Sequence, residues 1–469
     1  MREMPGDLDV LVIGSGTGGY SCALRAAELG KRVAIVERDE RLGGTCLLRG
    51  CIPTKALLQS AAVMDAVERS EEWGIEANGA PDWSGVRAFQ GKMVDKLVTG
   101  LTGLIEHRGI EVLGGGARLV TPEGGDATGT PAVEVNGRRL APADVVLATG
   151  SRPRLLPDVD LTDRVITSDQ ALELPFIPES AVVIGAGAVG LEFASMYRSF
   201  GAEVTVIEAL PMIAPLEDQE ISKQLARAFR RRGIRTAAGA TVNEVKELGD
   251  RVEVTYEAGE TATASADVCL VAIGRGPVTD GLDLEGVGVE LDRGFVKVDG
   301  QLQTSASHVW AVGDVAATPL QLAHVAFTEG IAVAERIAGQ SVPEIDYVGI
   351  PRVTYCTPEV ASVGLTQEQA IERGREVVVQ DLDMRAIGKA NIVGEGGLVK
   401  LVAEADGGPV LGIHIVGPHA TDLIAEAMLI TNWEATAADV AALIHPHPTL
   451  SEAIGEAHLA LAGKALHSA

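Results

Sequence analysis

Residues 8–19 read LDVLVIGSGTGG, a short apolar run that ends in spaced glycines. This pattern predicts a buried strand, a tight turn and a helix over residues 20–29, which together open a βαβ unit. Gly14 permits the turn, and Gly16 lets a pyrophosphate approach the backbone at the helix N-terminus. Gly19 allows the helix to pack closely on the strand. The stretch therefore predicts a dinucleotide site.

A second predicted strand, residues 32–37, ends on Glu37, which is placed to accept hydrogen bonds from a ribose. The whole pattern returns in residues 181–190, which read AVVIGAGAVG, followed by a predicted helix over 191–200 and a strand over 203–208. Two complete copies favour two dinucleotide sites over glycines that serve packing alone. The residues predicted to contact the second dinucleotide are Gly185, Gly187, Val189, Gly190 and Glu208.

Glu208 ends the second strand of the second copy, as Glu37 does in the first. A carboxylate about 4 Å from a 2′-phosphate repels it by roughly 4 kcal/mol at an effective dielectric constant near 20. No arginine follows closely after Glu208 to neutralise it. The second site is therefore predicted to prefer NAD over NADP.

Two of the five cysteines, Cys46 and Cys51, stand close together in GTCLLRGCIPTK, residues 44–55. Zinc needs four ligands, usually in two close pairs, and no such partners accompany these two. A helix is predicted directly after Cys51, and its N-terminus favours a thiolate there. A redox pair is therefore favoured over a metal site or a permanent disulfide. The isolated cysteines, predicted to be buried packing residues, are Cys22, Cys269 and Cys356.

Composition and charge set the class of protein. The chain has 469 residues, of which 46% are hydrophobic and 22% charged, with a net charge of −26. This charge argues against nucleic acid and anionic membranes as partners. Residues 1–9 do not resemble a secretory signal, and apolar runs such as 10–13 are too short to span a bilayer. A cytoplasmic location is predicted. Residues 121–131 are predicted to form a surface turn.

Two dinucleotide units with a Cys-x4-Cys pair between them resemble the flavin-dependent pyridine nucleotide–disulfide oxidoreductases over nearly the whole chain. The resemblance implies an α/β fold with two Rossmann-like domains, for FAD and NAD, and a C-terminal α+β interface or dimerisation domain. It divides the chain into a FAD domain of residues 1–150 and 278–345, an NAD domain of 151–277 and an interface domain of 346–469.

The resemblance extends to three further segments. Residues 146–151, VLATGS, match the strand that returns from the FAD domain, and 304–314, TSASHVWAVGD, match its second part, where Asp314 binds the ribityl chain. Residues 272–275, AIGR, match the closing strand of the NAD domain, which adds Gly274 to the NAD contacts. The implied FAD contacts are Gly14, Gly16, Gly19, Glu37, Gly44, Thr45, Cys46, Lys55, Thr149, Gly150, Ser151, Gly313, Asp314 and Ala323.

Residues 445–452, HPHPTLSE, narrow the resemblance to members that oxidise dihydrolipoyl groups. It makes His447 the acid/base and Glu452 the carboxylate that holds its other ring nitrogen. A dithiol must lose protons before it attacks a disulfide, and histidine suits that task near neutral pH. By the same resemblance, Cys46 exchanges with substrate and Cys51 faces the flavin. Taken alone, the motif would favour a proline-stiffened loop with incidental histidines.

Lys55 and Glu192 complete the implied catalytic set. The resemblance places Lys55 beside the flavin ring with Glu192 as its partner, whereas by itself Lys55 reads as a solvated helix lysine. The chain departs from the family pattern at Leu47-Leu48-Arg49, where small or polar residues are more usual, and at Val278, where asparagine is common. Loop packing around the cysteines is therefore left open.

The function implied by the resemblance is oxidation of protein-bound dihydrolipoamide through Cys46, Cys51 and FAD, with reduction of NAD+. It further implies a homodimer in which His447 completes the partner subunit's site, and a lipoylated acyltransferase or lipoyl carrier protein as partner. Two alternatives stay open: a related FAD-dependent reductase of another small disulfide, and a flavin-binding assembly subunit without catalysis. No metal is implied.

Overall fold

The computed structural model of the chain describes residues 8–121 and 129–467. Most of the surface turn predicted over residues 121–131 lies outside these ranges, as do residues 1–7. The described chain forms two compact units. The first unit contains the described residues up to Ala56, Arg87–Arg154 and Arg275–Tyr347. The second contains Leu57–Val86, Leu155–Gly274 and the described residues from Val348 onward.

The elements are named in chain order. The helices are α1 Thr17–Glu28, α2 Gly44–Arg49, α3 Cys51–Glu68, α4 Trp83–His107, α5 Ser168–Ala171, α6 Ala188–Ser199, α7 Gln219–Arg231, α8 Ala323–Ile337, α9 Gln367–Glu372, α10 Gly388–Val393, α11 Ala420–Asn432, α12 Ala437–Ala441 and α13 Glu452–Leu461. The strands are β1 Val10–Ile13, β2 Val33–Glu37, β3 Glu111–Gly114, β4 Ala117–Val120, β5 Ala132–Val135, β6 Arg138–Leu140, β7 Asp144–Leu147, β8 Ser151–Pro153, β9 Val165–Ile166, β10 Ser180–Ile184, β11 Glu203–Glu208, β12 Arg235–Ala238, β13 Thr241–Leu248, β14 Arg251–Ala258, β15 Glu260–Ala266, β16 Val268–Val271, β17 Arg275–Pro277, β18 Leu291–Asp292, β19 Phe295–Val296, β20 Val309–Ala311, β21 Arg352–Thr354, β22 Glu359–Gly364, β23 Val377–Asp383, β24 Leu398–Glu404 and β25 Val410–Gly417.

A five-stranded parallel sheet in the order β20-β7-β1-β2-β3 forms the core of the first unit. Every residue of β1 and β2 is buried, as expected where helices cover both faces of a parallel sheet. Val10 pairs with Val33 on one side and with Asp144 on the other. The strand order reverses at β1, and such switch points are where open α/β sheets bind their ligands.

The second unit repeats this plan and adds an antiparallel sheet. Its parallel sheet has the order β12-β11-β10-β16-β9, so the order reverses at β10 as it does at β1. A second five-stranded sheet, β21-β22-β25-β24-β23, is antiparallel throughout and packs against α11 and α13. The α/β fold with two Rossmann-like sheets and a C-terminal α+β region is confirmed.

The element bounds also compare closely with expectation. The strand predicted over 203–208 coincides with β11, and the helix predicted over 20–29 begins three residues earlier, at Thr17. The short helix α2 was not predicted at all. The domain boundaries at residues 150, 277 and 345 stay predictions. In the described ranges, no helix has the length and apolar character needed to cross a membrane.

Candidate active site

The first glycine turn combines two packed glycines with one open glycine. A Cβ on Gly14 would lie 2.3 Å from the Ala148 carbonyl oxygen, and one on Gly19 would lie 1.9 Å from that of Gly14. Gly16 has no such neighbour within 4 Å, and no side chain caps the N-terminus of α1 behind it. This leaves first-turn N–H groups for an anionic phosphate, so the turn fits a dinucleotide.

The second glycine turn has the same geometry. A Cβ on Gly185 would lie 2.4 Å from the Ala272 carbonyl oxygen, and one on Gly190 would lie 2.0 Å from that of Gly185. Gly187 again meets nothing within 4 Å, and α6 begins without a side-chain cap. In both turns the second glycine of the motif is the one with open space beside it. Packing alone would not require the two turns to agree in this way.

The strand-end acids brace these turns. Both Glu37 and Glu208 are buried. Oε2 of Glu37 accepts hydrogen bonds from the Ser15 N–H at 2.8 Å and the Ser15 hydroxyl at 2.6 Å. Oε2 of Glu208 accepts from the Ala186 N–H at 2.6 Å. Each carboxylate oxygen can accept further bonds, so both acids can hold their turn and still receive ribose hydroxyls.

The contrast between the open and the packed glycine predicts opposite outcomes for two substitutions. Gly187→Val should leave the melting temperature unchanged but weaken NADH binding at least about tenfold, because the side chain enters the space of the pyrophosphate. Gly190→Ala should destabilise the fold by about 1–3 kcal/mol or more, since its Cβ meets a backbone oxygen. Thermal unfolding and NADH titration of the FAD-loaded protein measure both effects. Normal NADH binding by Gly187→Val would remove Gly187 from the site.

A cleft of about 590 Å³ opens beside Glu37. Leu42, Val98 and Ile105 contribute apolar walls, and Glu37 lies at its polar end. The other acids that line the cleft are Asp39, Glu40 and Glu106. Apolar walls with hydrogen-bond acceptors suit an adenosine, whose base is flat and whose ribose carries hydroxyls. The first unit therefore fits the adenosine half of a dinucleotide.

The redox loop is fastened to the first glycine turn. The Gly43 N–H donates to the Ser15 hydroxyl at 3.1 Å, and Ser15 in turn donates to Glu37. Gly44 has φ +59, and a Cβ there would lie 2.6 Å from the Gly16 Cα. Only glycine fits this close approach. The chain that carries the cysteines therefore begins against the pyrophosphate position.

Cys46 lies in α2, and Cys51 is the first residue of α3. The Cys46 and Cys51 side chains share a hydrogen bond, and this bond, together with burial, raises the pKa of Cys46. The charge of Lys55, one turn into α3, opposes that rise. The two sulfurs are thus close enough to share a proton.

The unusual residues between the cysteines have a structural explanation. Leu47 is buried and packs, with Leu48, into the apolar core of the first unit. A Cβ on Gly43 would collide with the Leu47 side chain. Arg49 forms an ion pair with Asp39. The departure at Leu47-Leu48-Arg49 therefore anchors the loop to the core.

A polar cluster joins three of the predicted FAD segments. The Ser151 hydroxyl donates to Asp314 Oδ2 at 2.5 Å. Arg275 donates to the Ser151 hydroxyl and carbonyl oxygens, each at 2.7 Å, and reaches the Thr45 hydroxyl at 3.5 Å. Sequence reasoning used Arg275 only to mark the end of a domain. Its position between Thr45 and Asp314 depends on tertiary contacts that no local pattern encodes.

Val278, the second departure from the family pattern, makes its contacts near this cluster through its backbone. The Val278 carbonyl accepts from the Thr149 hydroxyl at 2.6 Å, and its N–H donates to the Gly150 carbonyl at 2.9 Å. Since both contacts use the backbone of Val278, they do not require asparagine there. Thr149 and Gly150 are thereby held at the end of β7.

Sequence reasoning missed Glu329, which is fully buried on α8. It accepts from the Gly313 N–H at 2.6 Å and from the Tyr347 hydroxyl at 2.8 Å, while burial raises its pKa. These bonds fix the turn that presents Asp314. A glutamate inside an otherwise apolar helix face was the signal that could have revealed it. Ala323, a predicted FAD contact, is the first residue of that helix, which has no side-chain cap.

His447 and Glu452 form the predicted pair. His447 Nδ1 lies 2.8 Å from Glu452 Oε1, and Oε2 of Glu452 accepts from the Thr449 N–H at 2.8 Å. Burial opposes ionisation of Glu452, but the Thr449 and His447 hydrogen bonds prevail and lower its pKa. Since Nδ1 faces the carboxylate, Nε2 is the ring nitrogen left for a substrate proton.

The remaining predicted residues lie as follows. Glu192 is buried on α6 and accepts from the Tyr355 N–H at 3.0 Å. Val189 lies partly exposed in the first turn of that helix, and Gly274 has φ +112 with open space beside it. The pairing of Lys55 with Glu192 stays a prediction.

The other cysteines, all fully buried as predicted, are Cys22, Cys269 and Cys356. Within residues 8–121 and 129–467, no cluster of His, Cys, Asp or Glu could hold a metal ion.

Comparison with protein families gives two adjoining matches. Residues 8–330 match the family described as pyridine nucleotide-disulphide oxidoreductase. Residues 350–458 match the dimerisation domain of the pyridine nucleotide-disulphide oxidoreductases. Together the matches span most of the chain.

Individual proteins agree over the full length. The chain is 43% identical to a dihydrolipoyl dehydrogenase of Bacillus subtilis, over 99% of this chain and 100% of the relative. It is 40% identical to that of Zymomonas mobilis, again over 99% and 100%. Among solved structures, LpdA of Mycobacterium tuberculosis has a TM-score of 0.88 at 27% identity, over 97% of this chain and 100% of that one. The HOCl-induced flavoprotein disulfide reductase RclA of Escherichia coli has a TM-score of 0.85 at 26% identity, over 96% and 99%.

Proposed function

The chain belongs to the pyridine nucleotide-disulphide oxidoreductase family, and we propose that Cys46, Cys51 and His447 carry out its reaction as a dihydrolipoyl dehydrogenase. It is an FAD-dependent oxidoreductase that acts on sulfur groups and reduces NAD+. It is also a homodimer, since residues 350–458 form a dimerisation domain. Within that reaction, its own side chains have to activate a substrate thiol and exchange it with a disulfide.

The observation that carries the proposal is the close pair of free cysteines at the open glycine turn. A hydrogen bond between the Cys46 and Cys51 side chains is the arrangement of a reduced pair that can share one proton. Gly44 presses the loop against Gly16, where the FAD pyrophosphate is proposed to bind. Electrons held on Cys51 therefore lie on the same unit as the flavin site.

The first step is removal of a proton from the substrate dithiol. Glu452 binds Nδ1 of His447 and keeps its own negative charge. The hydrogen bond leaves the lone pair of Nε2 free, so His447 takes the proton of one dihydrolipoyl thiol there. Glu452 then stabilises the imidazolium that forms.

The resulting thiolate attacks Sγ of Cys46 in the Cys46–Cys51 disulfide. A bond forms between the substrate sulfur and Cys46, the bond between the cysteines breaks, and Cys51 leaves as a thiolate. The second substrate thiol then displaces Cys46, which takes the proton of that thiol. The substrate has become a cyclic disulfide, and the enzyme holds Cys46 as a thiol and Cys51 as a thiolate.

Bound FAD, with NAD+ as the final acceptor, supplies the electron and hydride transfer that returns the pair to a disulfide. We assign Asp314, held by Ser151 and Arg275, to the ribityl hydroxyls. Lys55 adds positive charge beside the cysteines, where it acts to lower the pKa of Cys46, and a nearby positive charge favours a thiolate. Glu192 is assigned as its partner.

The substrate carrier and the sharing of the site also belong to the proposal. We assign a lipoyl group on an acyltransferase or carrier protein as substrate, with His447 serving the cysteines of the partner subunit. In a mixed dimer of one Cys46→Ser chain and one His447→Gln chain, one of the two sites should then be intact, giving about half of the wild-type activity. An inactive mixed dimer would place both groups on one chain.

The cysteine pattern supports a cytoplasmic location, which cell fractionation tests.

Glu208 is assigned to the choice between NAD and NADP. Glu208→Gln removes the charge that repels a 2′-phosphate and keeps one acceptor oxygen. That oxygen can serve one of the two backbone N–H groups, of Ala186 and Leu210, that now bond the two carboxylate oxygens. The ratio of kcat/KM for NADP+ over NAD+ should rise about ten- to hundred-fold. Glu203→Gln, at the exposed start of the same strand, is the matched control and should leave this ratio unchanged. An unchanged ratio in Glu208→Gln would remove Glu208 from cofactor selection.

The proposed function is tested by NAD+ reduction with dihydrolipoamide, using the purified FAD-loaded dimer. Turnover with dihydrolipoamide that exceeds turnover with glutathione, a monothiol, or with an unrelated small dithiol by orders of magnitude is expected. Absence of turnover with dihydrolipoamide in a protein that retains FAD would contradict the substrate assignment.

A further inference from the structure

The last part of the chain holds more histidines than the reaction uses. Of the nine histidines, four lie between residues 445 and 467. His445 pairs with Glu426 at 2.7 Å, and His458 is fully buried with Nδ1 on the Ile454 carbonyl. His467, close to the C-terminus, has a different partner.

His467 is bound twice by one carboxylate. Its Nδ1 lies 3.1 Å from Glu456 Oε1, and its backbone N–H donates to Oε2 of the same residue at 3.2 Å. Only 7% of the Glu456 side chain is exposed, against 60% of that of His467. The segment after α13 is thus folded back onto the helix and tied to a buried acid.

Glu456 stands four residues after Glu452 on α13, so the two carboxylates share one face of the helix, one turn apart. Each carboxylate carries one histidine: His447 on Glu452 and His467 on Glu456. The charge of His467 also reaches Glu452, where it adds to the lowering of the pKa by Thr449 and His447. Two His–Glu pairs therefore lie side by side and interact electrostatically.

We propose that Glu456 and His467 form a positioning charge pair whose two opposite charges balance each other beside His447 and Glu452, and that this balance sets the pH at which His447 accepts its proton. The inference rests on the proposed function, because it takes His447 as the base. With Glu456 alone, the added negative charge holds a proton on His447 more strongly. With His467 alone, the added positive charge has the reverse effect.

Other charges near α13 have partners of their own. The neighbouring elements α12, β23 and β24 carry Asp439, Asp381, Asp383, Lys400 and Glu404, and Lys464 lies between α13 and His467. Asp439 bonds Thr436, Asp383 bonds Arg385, Lys400 bonds Asp218 and Glu404 pairs with Arg375. Asp381 lies near Lys400. The largest influences on the pKa of Glu452 are instead its burial, the Thr449 N–H, His447 and His467.

The test is the pH profile of kcat/KM for dihydrolipoamide with three variants of the full-length FAD-loaded dimer. Activity falls on the acid side as His447 becomes protonated. His467→Gln should shift this acid limb to higher pH by about half a pH unit, and Glu456→Gln should shift it to lower pH by about as much. The double variant should restore the wild-type position. Opposite shifts that cancel are not expected from a structural role.

His447→Gln, measured in the same series, separates the two hypotheses. If it loses activity while His467→Gln and Glu456→Gln leave the acid limb in place, or shift it in the same direction, the charge pair is wrong and the proposed function stands. If His447→Gln retains full activity, the proposed base is wrong, and the inference falls with it.

Discussion

A Cys46→Ser variant is expected to lose NAD+ reduction by dihydrolipoamide by a factor on the order of 10³ or more, as other enzymes do without their nucleophile. Serine keeps the size and hydrogen bonding of the side chain but cannot form the disulfide that the substrate thiolate attacks. Cys51→Ser should lose the same activity for the same reason. Steady-state NADH formation measures both.

Two controls make this result specific. NADH oxidation by an artificial electron acceptor requires the two cofactors but neither cysteine, so both serine variants should retain it. Cys356→Ser is the matched substitution, since Cys356 is buried and its thiol donates to the Pro358 carbonyl, a bond that serine also makes. Dihydrolipoamide activity that survives in Cys46→Ser, or is lost in Cys356→Ser, would contradict the assignment of the pair.

His447→Gln is expected to reduce the same activity by about 10²–10⁴-fold, the usual contribution of a general base. Glutamine retains polar contacts near Glu452 but accepts no substrate proton at neutral pH. Glu452→Gln should cost less, since His447 remains and loses only its carboxylate partner. Rates measured across a range of pH distinguish the two, because His447→Gln should also remove the acid limb.

His445→Gln is the control for the histidine, because His445 belongs to the same motif and also pairs with a glutamate, Glu426. It is expected to keep activity within a few-fold of wild type. Equal losses in His445→Gln and His447→Gln would indicate that the loop, and not one imidazole, is needed.

The sequence predicted the parts of the fold that local chemistry determines. The spacing of Gly14, Gly16 and Gly19 alone predicted which position would be open, because strand, turn and helix are contiguous. Buried strands such as β1 and β11 are equally predictable, because their short length and β-branched residues distinguish them from helices. The second copy of the motif makes the same prediction for Gly187, and the structure shows the same open geometry there.

What the sequence left unpredicted depends on contacts between distant segments. The helix α2 is six residues long, too short to show a periodic pattern. Arg275 gains its role from Ser151, 124 residues away in the chain, and Glu329 gains its role from Gly313, 16 residues away and in a separate element. The partner of His467 is likewise invisible to motif reasoning, because a lone C-terminal histidine has no characteristic spacing. Such tertiary pairs can be identified only in the three-dimensional structure.

The most direct test of the central claim is anaerobic addition of dihydrolipoamide to the FAD-loaded dimer without NAD+, followed by absorbance. A long-wavelength charge-transfer band from the Cys51 thiolate beside the flavin is predicted, followed by NADH formation when NAD+ is added. The band should be absent from Cys51→Ala. A band of full intensity in Cys51→Ala, or no spectral change in the wild-type protein, would contradict the proposed relay from Cys46 through Cys51 to the flavin.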